Sequence, residues 1–151
     1  MNRRFVYICS PLRGDYEKNT ENARTFCRVA AKYSPVGVIP IAPHLYFPQF
    51  LYDGNPEERA LGIEAGLALL EKCEELWVFG IDNPSEGMRA ELNHAKELGI
   101  PILDGFKIID HIIINGMKGG TTCRTNGTTP KPPEATEACK AERSGRASRT
   151  R

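Results

Sequence analysis

Paired cysteines are the first thing this chain lacks. It holds five, at positions 9, 27, 73, 123 and 139, and no two form a CxxC pair. The odd count and the spacing exclude a zinc ribbon and a disulfide framework. Reduced thiols, and with them a cytoplasmic protein, are the expectation. Long hydrophobic runs are missing too. No segment nears the ~18 apolar residues of a membrane span, and the apolar run after Met1 is one strand long, so no secretory leader is expected. Glycine is present but never as GxGxxG or as a Walker motif, which excludes the usual dinucleotide fingerprint and the P-loop. Neither a cofactor nor a metal is expected. Charge of one sign is also lacking. The formal net charge is +1 over 151 residues, which gives no strong nucleic-acid signal and no membrane attraction.

That near-neutral total is uneven. Residues 1–115 carry 12 Lys and Arg against 16 Asp and Glu, a balance of −4, whereas 116–151 carry 8 against 3, a balance of +5. The first part reads as one mildly acidic globular domain. The second is Gly, Thr, Pro, Ser and charge with almost no large apolar side chain. It cannot bury enough surface to offset chain entropy, so residues 116–151 are expected to be a disordered basic tail, with a basic interaction arm as the other reading.

Within 1–115, short apolar strands alternate with helical patterns. Strands are predicted at Phe5–Cys9, in "VGVIPIAP", in "ELWVFG" and in "IPIL". Helices are predicted over "DYEKNTENARTFCRVAAKYS", from Pro56 after an Asn55 cap, and over "PSEGMRAELNHAKELG" up to Gly99. "FKIIDHIII" is ambiguous between a strand and a helix. The alternation predicts an α/β fold: a Rossmann-like three-layer sandwich with a mostly parallel sheet of four or five strands. The helix after Pro56 is apolar on two sides. One side must meet the sheet; the other is expected to meet either a second subunit, through close approach at Gly62 and Gly66, or the aromatic loop 44–54.

In an open parallel sheet, ligands bind beyond the carboxyl ends of the strands. Three unusual segments leave strands there. The first is "VYICSPLRG". Pro11 ends the strand, Gly14 permits a tight turn, and Arg13 offers a planar cation suited to phosphate or carboxylate. The second contains His44, Tyr46 and Phe47, which suit stacking on a base. The third runs from Ile81 into a helix at Ser85, where Ser85 is placed to cap and Gly87 to let a ligand near the backbone. On that helix Glu91 falls within the apolar arc, between Leu98 and Ala95. The wheel alone leaves open whether Glu91 is a paired rim residue or a functional acid.

"VYICSPLRG" together with "SEGMRAELNHAKELGIPIL" resembles the nucleoside 2-deoxyribosyltransferase superfamily, which includes deoxynucleoside 5′-monophosphate N-glycosidases. The match is closest to its small, poorly characterised members and covers roughly residues 4 to 104. The resemblance implies cleavage of an N-glycosidic bond, or deoxyribosyl transfer, on a nucleoside or nucleotide. It makes Glu91 the nucleophile and Tyr7 the group that orients it. It gives Ser85 and the turn Ser10–Gly14 to substrate binding, with Arg13 holding the 5′-phosphate in the glycosidases that act on nucleotides; His44, Asp82 and Gly87 join the expected substrate-binding set from their positions at the strand exits and helix start. It also implies a homo-oligomer. The family carries an acid on the helix before the third strand; the matching position here is Gly66, so the leaving-group proton falls to Asp82, His44 or Asp53. A non-catalytic nucleotide-binding module with the same pocket is the alternative.

Overall fold

The computed structural model describes residues 3–33 and 37–118. Their order is β1 (Arg4–Cys9), α1 (Tyr16–Tyr33), β2 (Val38–Ile41), α2 (Pro43–Tyr46), a 3-10 turn (Phe47–Gln49), α3 (Pro56–Leu70), β3 (Glu75–Val78), α4 (Glu86–Leu98), β4 (Ile102–Asp104) and α5 (Gly105–Lys118). The basic tail expected beyond position 115 lies outside the described residues, apart from the last turn of α5.

All strand pairs are parallel, in the order β2-β1-β3-β4. β1 is central. It pairs Val6 with Pro40 on one side and Cys9 with Val78 on the other. Pro40 has no N–H to give a ladder, and β2 is accordingly an edge strand.

Alternation along the central strands builds two cores. Tyr7, Cys9, Leu76 and Val78 point to the face covered by α3 and α4, where Leu70, Met88, Leu92 and Ala95 close the cluster. Val6, Ile8, Trp77 and Phe79 point to the opposite face and pack against Ala30 of α1 and Ile109 and Ile112 of α5. The result is a three-layer α/β sandwich of the Rossmann-like kind. "FKIIDHIII" belongs to α5: Asp104 accepts from the Phe106 and Lys107 amides and starts a helix whose apolar residues then meet the sheet.

Local signals set the helix ends. Asp15 Oδ1 accepts from the Lys18 amide at the start of α1. Asn55 caps α3 by accepting from the Glu57 amide at 3.0 Å, ahead of Pro56. Gly99 ends α4 in the left-handed region, at φ 69°. Asn55→Ala removes a cap and is expected to cost about 1 kcal/mol of stability, read as a lower urea midpoint at unchanged slope.

α3 behaves differently from its neighbours. Only Gly66 and Leu70 are buried on it, and Leu61 is 54% exposed. Gly62 and Gly66 line a cleft instead of an outer surface. Leu51 from the aromatic loop approaches Gly62 there, so that loop covers part of the second apolar side. Leu61 and Leu69 remain exposed in the single chain.

Candidate active site

The cleft lies between the carboxyl ends of β1 and β2, the faces of α3 and α4, and the loop 43–53. Its floor is made of two side chains the sequence placed far apart. Tyr7 is fully buried in β1 and donates its hydroxyl to Glu91 Oε1 at 2.8 Å. Glu91 stands on α4 one residue before the buried Leu92, which turns it inward while leaving it half-buried at the cleft. Cys9, two residues after Tyr7 and on the same face of β1, belongs to the same buried cluster, and its thiol favours the ionised Glu91.

Burial dominates the electrostatics of this group. Desolvation pushes the Glu91 carboxyl above its ordinary value, and the bonds from Cys9 and Tyr7 pull it partly back. Desolvation, reinforced by the Glu91 charge and by the bond to it, pushes the Tyr7 phenol well above 10.0. Tyr7 therefore keeps its proton and remains a donor. Tyr7→Phe removes the 2.8 Å bond that favours ionised Glu91. The acid limb of any activity carried by Glu91 is then expected to move to higher pH, with kcat down about 10- to 100-fold; a pH–rate profile checks it.

His44 follows β2 and lines the cleft, with its Nε2 2.9 Å from Ser10 Oγ. Ser10 itself is buried behind it. The two meet because β1 and β2 are adjacent parallel strands and their exits emerge side by side. Desolvation lowers the His44 pKa to about 4, so the ring is neutral at pH 7 and can give only a hydrogen bond, not the proton of an imidazolium.

At the mouth, Arg13 donates from Nε to Asp53 Oδ2 at 3.1 Å. Arg59 of α3 reaches Asp53 Oδ1 at 3.5 Å and Glu86 Oε2 at 3.7 Å. Ser85 caps α4 by accepting from the Met88 amide at 3.4 Å, and Ser85 and Gly87 both line the cleft. Free amides of a helix start thus border the same space. Among the described residues, no group of three His, Cys, Asp or Glu side chains is placed to hold a metal, and no helix is long and apolar enough to cross a membrane.

Of the residues singled out in the sequence, Tyr7, Arg13, His44, Ser85, Gly87 and Glu91 line this one cleft, and Ser10 supports it through His44. Phe47 lines it as well; Tyr46 is exposed and packs edge-on against Phe47. Gly14 and Asp82 are exposed and do not line the cleft. Gly14 adopts φ 94°, as a left-handed turn residue does. Gly66 lies on the floor, where an added Cβ would sit 3.3 Å from the Tyr7 hydroxyl. Among the chemically active lining or supporting residues, Cys9, Glu58 and Arg59 were missed. Cys9 was detectable from strand periodicity with Tyr7. Arg59 was detectable because it precedes Gly62, Ile63 and Gly66 by three, four and seven residues on one helix face.

Fold and cleft together define a Rossmann-like α/β domain with a buried, hydrogen-bonded carboxyl group at the ends of its central strands. The chain belongs to the family described as a domain of unknown function, DUF7768, whose profile matches residues 4–104. No curated protein matches it. A solved structure from the psychrotolerant bacterium Bacillus psychrosaccharolyticus, described as a 2-deoxyribosyltransferase, is similar at 19% identity over 65% of this chain and 69% of its own, with a TM-score of 0.46.

Proposed function

We propose that this domain cleaves the N-glycosidic bond of a 2′-deoxynucleoside or its 5′-monophosphate, by hydrolysis or by transfer to a second base, with Glu91 as the nucleophile. The observation that carries this reading is the 2.8 Å bond between Tyr7 and Glu91 at the cleft floor. A carboxylate held by a neutral donor and open on its other side is what attack on a sugar carbon requires. The resemblance of "VYICSPLRG" and "SEGMRAELNHA" to the deoxyribosyltransferase superfamily supports the same assignment.

The steps balance as follows. One Glu91 oxygen attacks C1′ of the sugar. The C1′–N bond breaks and its electron pair leaves with the nucleobase, which takes up a proton. The product is a glycosyl ester on Glu91 and a free base. Water, or a ring nitrogen of a second base, then attacks C1′. The ester's C1′–O bond breaks, the carboxylate is restored, and the attacking group loses its proton. Tyr7 fixes the direction of the attacking oxygen throughout. His44 and Phe47 stand where a base leaving toward the α2 loop would meet them, and a neutral His44 N–H can bond a base nitrogen as charge develops there. The 5′ end of the sugar is assigned to the turn bearing Arg13. A second subunit completing the exposed side of α3, at Leu61 and Leu69, is part of the same proposal.

The test is to incubate the protein with the common 2′-deoxynucleosides and their monophosphates, with and without an added free base, and to separate the products by chromatography. Free base or an exchanged nucleoside is the expected result. A second reading has one observation in its favour: Gly66 brings no acid to the floor and His44 is uncharged, so protonation of the leaving base has no strong owner. In that reading the cleft binds a nucleotide without cleaving it. A ligand that raises the melting temperature and is recovered intact after long incubation would favour it over catalysis.

A further inference from the structure

The mouth of the cleft poses a question of charge. Two cations line it among the described residues, Arg13 and Arg59, and three carboxylates do, Asp53, Glu58 and Glu91. Glu86 adds a fourth carboxylate against Arg59. Both cations converge on Asp53, one on each of its oxygens. Asp53 is not a stray surface acid. Glu58 accepts from the Tyr52 amide at 2.6 Å and from Asn55 Nδ2 at 3.0 Å, and the Asn55 amide bonds the Tyr52 carbonyl at 2.9 Å. These bonds close the turn that carries Asp53 and hold it between the two guanidinium groups.

A 5′-phosphate carries about −1.5 to −2 charges at neutral pH. To reach Arg13 and Arg59 it would have to displace Asp53, or sit beside that carboxylate and Glu58. Either route sets like charges together, which costs affinity. A 5′-hydroxyl has no such conflict. It can donate to an Asp53 oxygen and leave both ion pairs in place.

We infer that Asp53 is the specificity-determining residue of this cleft: by occupying both arginines it admits the uncharged nucleoside and rejects the 5′-monophosphate. This rests on the reading of the cleft as a nucleoside site, and it narrows that reading to one substrate class. It also changes the part given to Arg13. Its guanidinium holds Asp53 in place instead of clasping a phosphate.

The experiment measures binding, so it does not depend on turnover. Full-length Glu91→Gln protein is titrated calorimetrically with the four common 2′-deoxynucleosides and their 5′-monophosphates. The nucleoside that binds best is expected to bind at least about 10-fold more tightly than its monophosphate at low salt. Adding Asp53→Asn should shrink that ratio about 10-fold or more, since two cations lose their internal partner. Adding Arg13→Gln in place of the Asp53 change should enlarge it. Because Arg13 and Asp53 are both substantially solvent-exposed, raising the salt about tenfold should also narrow the gap. Tighter binding of the monophosphate to the Glu91→Gln protein, or a ratio that Asp53→Asn leaves unchanged, overturns the role of Asp53 while leaving the nucleoside site standing. Absence of binding by every nucleoside and nucleotide overturns both. Circular dichroism melts of each variant establish that the comparison is between folded proteins.

Discussion

Glu91→Gln is expected to lower turnover by about 10³-fold or more and, at neutral pH, to make the protein harder to melt. The two effects have one origin. In the proposed reaction Glu91 forms the bond to C1′, and an amide of the same shape cannot do so. The stability change follows from proton linkage. Burial raises the carboxyl's pKa in the folded chain above its ordinary 4.5, so the folded state holds that proton more tightly than the unfolded state does. Its contribution to stability is complete below about 4.5 and is lost as pH rises through the raised value. Above that raised value the native protein carries a charge it would rather not bury, and glutamine removes it. Melting curves at neutral pH and at about pH 4 check the sign: the variant's advantage should be present in the first and should fade in the second. A variant less stable than the parent at both would mean that the Tyr7 and Cys9 bonds outweigh the cost of burial. Loss of turnover without any change in ligand affinity would separate the nucleophile from a mere binding contact.

Phe79→Ala is expected to be the most damaging single change to the fold, costing about 3–5 kcal/mol. Phe79 is almost fully buried at the end of β3. It stacks on Phe26 with ring centroids 3.8 Å apart and meets Phe106 edge-on at 5.3 Å. It thus ties α1, α5 and the sheet into one cluster on the face away from the cleft. The same crowding forbids a side chain at Gly105, where an added Cβ would fall 2.5 Å from the Phe79 ring. Denaturant titration gives the magnitude. The prediction has a second half: ligand affinity measured on the folded fraction at low temperature should be nearly unchanged, because none of these aromatics touches Tyr7, Glu91 or the α3–α4 face. A loss of affinity as large as the loss of stability would mean that the two faces are coupled through the sheet.

Much of this was legible in the sequence where the signal is local. Asn55 before Pro56, Ser85 six residues before Glu91, and Gly99 after Leu98 fix helix ends with side chains or backbone conformations that need no tertiary help. The inward position of Glu91 was legible from helix period alone, since its neighbours Leu92 and Ala95 had to face the sheet. The segment 106–114 was not, because nine mostly apolar residues satisfy a strand and a helix equally; the Asp104 cap and packing of Ile109 and Ile112 beside α1 accompany the helix in the structure. The orientation of Gly62 and Gly66 was not legible either. Glycines carry no polarity, so the sequence could not say which side of α3 they face. The pairing of Asp53 with Arg13 and Arg59 spans 40 and 6 positions and depends on how a turn closes, which no pattern of hydrophobicity encodes.

The chain has a single tryptophan, and β3 hides it. Trp77 is 2% exposed, its indole donates to Glu75, and it belongs to the cluster under α1 and α5, across the sheet from Glu91. Intrinsic fluorescence excited at the indole band will therefore follow unfolding faithfully and stay nearly silent when the cleft is filled. A titration watched only by that emission would report no ligand even at saturation. A reporter placed on the aromatic loop, at Phe50 or Tyr52 where the side chains already reach solvent, would see the event that the natural fluorophore cannot.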